Sequence, residues 1–157
     1  MTTNQTPADI RGVLIQVSGA RLLLPNASIA EVLSYASTEP LANAPEWLLG
    51  TIRWRGWSLP LLRFAPLAGL GVEEAQLGNK VLVLKALGGQ TRLPYFALLS
   101  QGFPRLVTVS ADRLLDDDGG PQAAVVKRAV RFNDESALIP DLDAIEQAIH
   151  GALASAA

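Results

Sequence analysis

Five consecutive residues, Arg53-Trp54-Arg55-Gly56-Trp57, interleave two guanidiniums with two indoles. A guanidinium is a planar fork that pairs with carboxylates or phosphates and stacks on aromatic faces, and an indole brings a large apolar area with one N–H donor. Together they suit either the stacking of single-stranded nucleic acid or the anchoring of a protein partner. A third reading is purely structural, with both tryptophans in the core and both arginines solvated. The overall balance, 13 Lys and Arg against 15 Asp and Glu, gives no global attraction to nucleic acid, and no wider basic stripe accompanies the segment.

The remaining residues offer little to catalysis. With no cysteine there is no thiolate nucleophile, thiolate metal site or disulfide. The one histidine, His150, falls on a polar helix position near the C-terminus, no Gly-x-Ser-x-Gly elbow exists, and it reads as a solvated side chain. The run Asp116-Asp117-Asp118 lacks the alternating spacing and distal Glu of a calcium loop, and reads as a surface turn. Asp141 and Asp143 stand two apart at a helix start, where complementing the helix dipole explains them. Gly69-Leu70-Gly71 and Gly88-Gly89 have no following Lys-Ser/Thr, so no phosphate loop is present. The expectation is a protein that is not an enzyme, with no metal and no cofactor.

These residues must be positioned by a modest chain. Its 157 residues suit one ordinary domain, and 49% hydrophobic against 18% charged composition, with mean hydropathy +0.24, marks it as globular. The opening MTTNQTPADIRG lacks the basic start and apolar core of a signal peptide, and no apolar run is long enough to span a bilayer. A cytoplasmic protein with no direct membrane insertion is expected. Residues 1–10 and 151–157 read as flexible ends around a domain at 11–150.

Short strand-like runs dominate. Gly12 to Val17 and Arg21 to Leu24 read as a hairpin around Ser18-Gly19-Ala20. Asn26 is placed to cap a two-turn helix through Leu33, and 37–46, with Pro40, Asn43 and Pro45, is a loop. Leu48 to Trp54 and Trp57 to Arg63 form the clearest hairpin. Two registers are open: a two-residue Arg55-Gly56 loop setting Trp54 opposite Trp57, or a three-residue loop with Gly in the left-handed bulge position, which Arg before Gly fits better. A one-residue slip exchanges the faces of one strand. Pro60 lacks an amide donor and places the second strand at an edge or near a bulge. After a Gly-rich link from Gly69 to Gly78 come strands over Lys80 to Leu87, Arg92 to Leu99 and Leu106 to Val109. A final pair, Ala124 to Phe132 and Ser136 to Ile139, turns at Asn133-Asp134, and a helix runs from Leu142 to about Leu153. The pattern predicts a mainly β fold of barrels or sandwiches with short helices, one of them C-terminal.

Ile29-Ala30-Glu31-Val32, then Ala44-Pro45-Glu46-Trp47-Leu48-Leu49-Gly50, then Arg53 to Leu62 with its Arg55-Gly56 and Pro60, resemble the CheW-like chemotaxis coupling proteins. Their pattern there is a Val-x-Glu-Ile-like helix, a Pro-x-x-x-x-Gly approach and Asn-Leu-Arg-Gly-x-x-x-Pro. Ala137-Leu138-Ile139-Pro140-Asp141-Leu142-Asp143 is similar too, so the resemblance spans about Ile10 to Ile149. It implies two SH3-like five-stranded β-barrel subdomains, interleaved around a shared core. It also implies a non-enzymatic signalling adaptor bridging a chemoreceptor's cytoplasmic tip to a CheA-type histidine kinase, recruited to membrane-bound arrays. Carried over by position, Ile29 and Glu31 match the receptor-coupling helix and Arg55 and Gly56 the family's Arg-Gly. Val32 and Pro60 match framework positions. Partner binding is therefore expected of Ile29, Glu31, Arg53, Trp54, Arg55, Gly56 and Trp57.

The chain also departs from that pattern. Arg53-Trp54 replaces Asn-Leu, Arg63 stands where an Asp often follows the Pro strand, and Ser100-Gln101-Gly102-Phe103 replaces an Asp-Gly-Val region. In these respects it resembles the divergent ChpC-like adaptors of chemosensory systems that control type IV pili and twitching motility. The alternative reading is a small nucleic-acid-binding β-barrel using the Arg/Trp hairpin.

Overall fold

The structure, a computed structural model, describes residues 9–86, 94–117, 119–120 and 122–156. Expectations placed on residues 1–8, Leu87, Gly88-Gly89, Arg92, Asp118 and Ala157 lie outside the described residues. The chain opens with β1 (Asp9–Val17) and β2 (Ala20–Pro25), then runs through β3 (Ile29–Ser34), β4 (Leu48–Trp54), β5 (Trp57–Leu62), the one-turn α1 (Phe64–Leu67), β6 (Lys80–Lys85) and β7 (Tyr95–Ser100). It closes with β8 (Arg105–Ser110), the two-residue β9 (Leu115–Asp116), β10 (Val126–Phe132), β11 (Glu135–Pro140) and α2 (Leu142–Ala156).

Two sheets form, with strand orders β8-β1-β2-β11-β10-β9 and β3-β6-β7-β5-β4. The fold is mainly β, and each sheet has five full strands, β9 adding a short sixth to the first. The chain starts the first sheet, leaves it to build all of the second, and returns. β11 pairs parallel with β2 at Leu138↔Leu22 and so joins the early and late halves of the first sheet.

Alternation of side chains along the strands explains the layering. One face of the first sheet, through Val13, Ile15, Val17, Leu22 and Leu24, meets Leu62, Leu82, Leu84, Phe96 and Leu98 of the second in a shared core that Ile145 and Ile149 of α2 complete. The opposite face of the first sheet packs on itself through Leu14, Leu23, Val130, Phe132 and Ala137. The second sheet does the same through Leu61, Val81, Ala97 and Leu99, and through Trp54, Leu59 and Val83 near the hairpin tip. Strands buried on both faces need near-continuous apolar runs, such as VLVL at 81–84, and the sequence supplies them.

Four local expectations are corrected. Asn26 caps no helix: 26–28 make a single 3-10 turn without a side-chain cap, and Ile29–Ser34 extend as β3. Pairing with β6 gives that backbone its hydrogen bonds and lets Ile29 and Val32 pack on the shared core, whereas a two-turn helix leaves most of its terminal groups unpaired. β5 is interior, between β7 and β4, and not an edge, while the other expected arm, a nearby bulge, is met by the register shift between Leu48 and Gly50 opposite it. Pro60 is tolerated because it faces Thr51 at a position where antiparallel partners exchange no hydrogen bonds, while the pairing with β7 begins only at Leu61. The turn expected around Asp116 begins as β9, paired to Val130 and Arg131. The last helix continues past Leu153 to Ala156, since its Ala-rich end has high helix propensity, so 151–156 belong to α2. Asp141 starts that helix, the Ala144 N–H donating to its Oδ1 at 3.1 Å.

The Gly-rich link proves to be a strap pinned by a buried acid. Glu73 is 1% exposed and accepts the Ser18 N–H at 3.1 Å, the Ala65 N–H at 3.3 Å and Gln101 Nε2 at 2.7 Å, so one carboxylate ties the first hairpin, α1 and the end of β7 together. Arg63 reinforces it, donating to the carbonyls of Glu73 and Glu46.

The second barrel closes where the loop after β3 touches β4. Glu39 and Thr51 exchange backbone hydrogen bonds of 2.9 and 2.8 Å. Gly50 makes that approach feasible: its φ is +148°, and a Cβ there would stand 2.2 Å from the Glu39 carbonyl oxygen. Gly50→Ala is expected to break the bridge and cost roughly 2–4 kcal/mol. A thermal melt should show Tm lowered by roughly 5–15 °C; an unchanged Tm would mean the bridge contributes nothing.

Candidate partner-binding site

The hairpin register is set by its turn. Arg55 (φ 47°) and Gly56 (φ 81°) both have positive φ, which makes a two-residue turn of the mirror-image type whose twist matches the strands. Trp54 therefore faces Trp57, Arg53 faces Ser58 and Ile52 faces Leu59. The three-residue alternative, favoured on turn preference, is not adopted. Asn133-Asp134, with φ of 49° and 61°, makes the same kind of turn between β10 and β11.

The register sets the two tryptophans on the same face of the hairpin, yet they differ in burial. Trp54 is 7% exposed, packed on Leu59 and Val83 at the mouth of the second barrel, with the Tyr95 ring edge-on at 4.9 Å between centroids. Trp57, its cross-strand partner on the other side of the turn, is 38% exposed. A buried indole N–H needs an acceptor, and Trp54 Nε1 donates to Glu31 Oε1 at 3.1 Å. Glu31 comes from β3, at the opposite edge of the same sheet, and barrel closure carries it there. An irregularity between Ile29 and Glu31 in the pairing with β6 marks the place where β3 changes its aim.

The same oxygen accepts Arg55 Nη2 at 2.9 Å, and the Arg55 guanidinium lies 4.8 Å from the centroid of the Trp54 ring. Arg55 is thus held by a carboxylate on one side and an aromatic face on the other, with its side chain still 70% exposed. An ion pair this open contributes at most about 1 kcal/mol, so it orients the guanidinium more than it stabilises the fold. A non-glycine residue at positive φ costs about 1 kcal/mol where Asn or Gly would sit freely.

Of the seven residues expected at the site, Glu31, Trp54 and Arg55 form one bonded cluster, with Gly56 in the turn and Trp57 beside it. Arg53 is exposed on the outer face of β4, opposite Ser58. Ile29 stands apart, opposite Leu84 and packed against the shared core. Tyr95 escaped notice because nothing in a lone strand tyrosine announces that it buttresses a tryptophan forty residues earlier. Elsewhere, a cavity of about 730 Å³ lies beside β9 and β10, where Arg128 bonds Asp116 Oδ1 through Nε at 2.9 Å and Nη2 at 2.6 Å. His150 is half-buried on α2. Among the described residues, no helix is long and apolar enough to cross a membrane.

The chain is a mainly β, double-barrel domain with an arginine held open at a hairpin tip. The CheW-like domain family model matches residues 11–149, and the chain belongs to that family. The crystal structure of scaffolding protein TtCheW from Thermoanaerobacter tengcongensis has the same fold, with TM-score 0.71 at 15% identity, covering 89% of each chain. No curated protein sequence matches it.

The cluster makes Glu31 the critical member. Glu31→Gln retains an acceptor for the Trp54 indole and is expected to leave stability nearly unchanged, whereas Glu31→Ala orphans that N–H and costs about 1–2 kcal/mol. Urea denaturation followed by tryptophan fluorescence separates the two variants; equal losses would show that the charge, and not the indole bond, is what matters.

Proposed function

We propose that this protein is a non-enzymatic signalling adaptor that couples the cytoplasmic tip of a chemoreceptor to a CheA-type histidine kinase. The observation that carries the reading is Arg55. A CheW-like chain spends backbone strain to place an arginine at a turn position better suited to Asn or Gly, then braces it with Glu31 and Trp54 while leaving it open to solvent. Residual strain at a braced, exposed side chain is the mark of a contact residue. Arg55 and Trp57 supply the two residue types that dominate protein interface energetics, and no catalytic machinery is required of them. Membership of the CheW-like family supports the same role.

The protein acts in the cytoplasm and joins receptor arrays at the membrane through its partners. Its departures from the family pattern, Arg53-Trp54 and the Phe103 region, support an output in type IV pilus twitching motility through a divergent receptor and kinase pair. Each contact is modest and gains strength from the multivalency of an array.

Arg55→Asn is the discriminating variant. Asn adopts positive φ readily, so Tm is expected to hold within about 2 °C, because relieved strain offsets the lost ion pair. Pull-downs from the host's soluble and membrane fractions should recover a CheA-type kinase or a chemoreceptor with the wild type and much less with the variant. Folded wild type that captures neither, while retaining nucleic acid in a salt-sensitive manner, would falsify the adaptor reading.

A further inference from the structure

β4 is an edge strand of the second sheet, and among the described residues its outer side is bridged once, at Thr51. Trp54 and Trp57 close a two-residue turn and so exchange hydrogen bonds, which leaves the backbone groups of Thr51 and Arg53 pointing away from β5. The Thr51 N–H accordingly reaches Glu39 O. Arg53, two residues on, presents its backbone along the same edge where no strand continues the pairing. Here the seam between β3 and β4 opens into a notch of about 170 Å³. Leu33, Ile52 and Val81 give it an apolar floor continuous with the barrel core, and Ser34, Tyr35 and Arg53 stand at its rim.

The charge is one-sided. Among the described residues no carboxylate lines the notch, and the Arg53 side chain makes no hydrogen bond or ion pair with them, unlike Arg55, whose carboxylate partner Glu31 is already shared with Trp54. Lys80 adds a second cation beside the rim, its Nζ donating to Ser34 Oγ at 3.3 Å. An apolar slot with an unopposed guanidinium and an open strand edge is complementary to one kind of occupant.

We infer that this notch seats an aliphatic side chain of a partner protein segment whose neighbouring residue is Asp or Glu, the carboxylate pairing with Arg53 and the segment's backbone meeting the open edge of β4. The inference rests on the adaptor reading and specifies the chemistry of the partner surface: acidic and aliphatic in alternation. Arg53 is the specificity-determining residue there, since a basic neighbour would face two cations.

The test uses the isotope-labelled full chain and two synthetic peptides, acetyl-Glu-Leu-Glu-Leu-Glu-amide and its Lys-for-Glu counterpart, with hexanoate as a small carboxylate. The acidic peptide is expected to shift the backbone amides of Leu33 to Ser37, Ile52 and Arg53 at millimolar concentration, and the basic peptide to leave them unmoved. Arg53→Glu should weaken the acidic peptide about tenfold and admit the basic one. Ala36→Trp, which fills the notch without changing charge, should abolish both responses. Absence of shifts at those amides, equal responses to the two peptides, or hexanoate binding as well as the peptide would each overturn the inference. Failure here with kinase or receptor still captured removes only the notch; a responding notch with neither partner captured removes the adaptor reading instead.

Discussion

With φ positive at both Arg55 and Gly56, the β4–β5 hairpin closes after two residues, and that turn geometry governs the whole candidate site. Side chains alternate along a strand, so a slip by one residue would bury Arg53 and expel Trp54. The adopted register places Trp54 over Leu59 and Val83, turns Arg53 outward, and leaves Pro60 at a position that needs no donor. Burial of Trp54 then demands an acceptor for its indole, and Glu31 provides it. Arg55 is braced as a consequence of the same carboxylate. One turn therefore fixes that Trp54 lies on the core side of the hairpin and Arg53 on the outer side.

The architecture makes this possible by bringing opposite sheet edges together. β3 and β4 are farthest apart in strand order, yet the Glu31–Trp54 bond joins them and the Glu39–Thr51 bridge joins β4 to the loop that follows β3. Gly50 permits the close backbone approach at one end of that seam. Between the two contacts the pairing lapses, which is where the notch opens. The shared core holds the second barrel against the first, and Glu73 pins the strap between α1 and β6 to the first hairpin, satisfying its buried carboxylate with two backbone amides and a glutamine. Arg63, a departure from the family pattern, takes part in that fastening through both of its Nη atoms.

The surface near the hairpin is accordingly selective in charge although the whole chain is not. Formal net charge is -2, but Arg53, Arg55 and Lys80 occupy one region in which Glu31 is the carboxylate already engaged. Long-range steering by net charge is weak in such a protein, and in the proposed role local complementarity would decide the partner. In the proposed role, the exposed aromatic area of Trp57 beside Arg55 would give the contact apolar substance that ion pairing alone would lack.

Much of this was legible in the linear chain. Apolar runs punctuated by Gly, Pro and Asn located nearly every strand, because a strand buried on one or both faces leaves a local pattern of hydrophobicity. The order of the Glu31, Arg55-Gly56 and Pro60 segments carried the family resemblance, and Asp141 announced the last helix. What the chain could not decide locally was decided by distant contacts. Ile29 to Leu33 have acceptable helix formers, and only the presence of β6 alongside makes strand the better way to satisfy their backbone. Arg before Gly argued for a looser turn, and the cost of positive φ was outweighed by burying Trp54 and bonding it to a residue on another strand. Tyr95 against Trp54 and Glu73 beneath the strap are pairings across long stretches of sequence, for which residue type gives no local sign. Periodicity is written along the chain, whereas the meeting of two sheet edges arises only when a barrel closes.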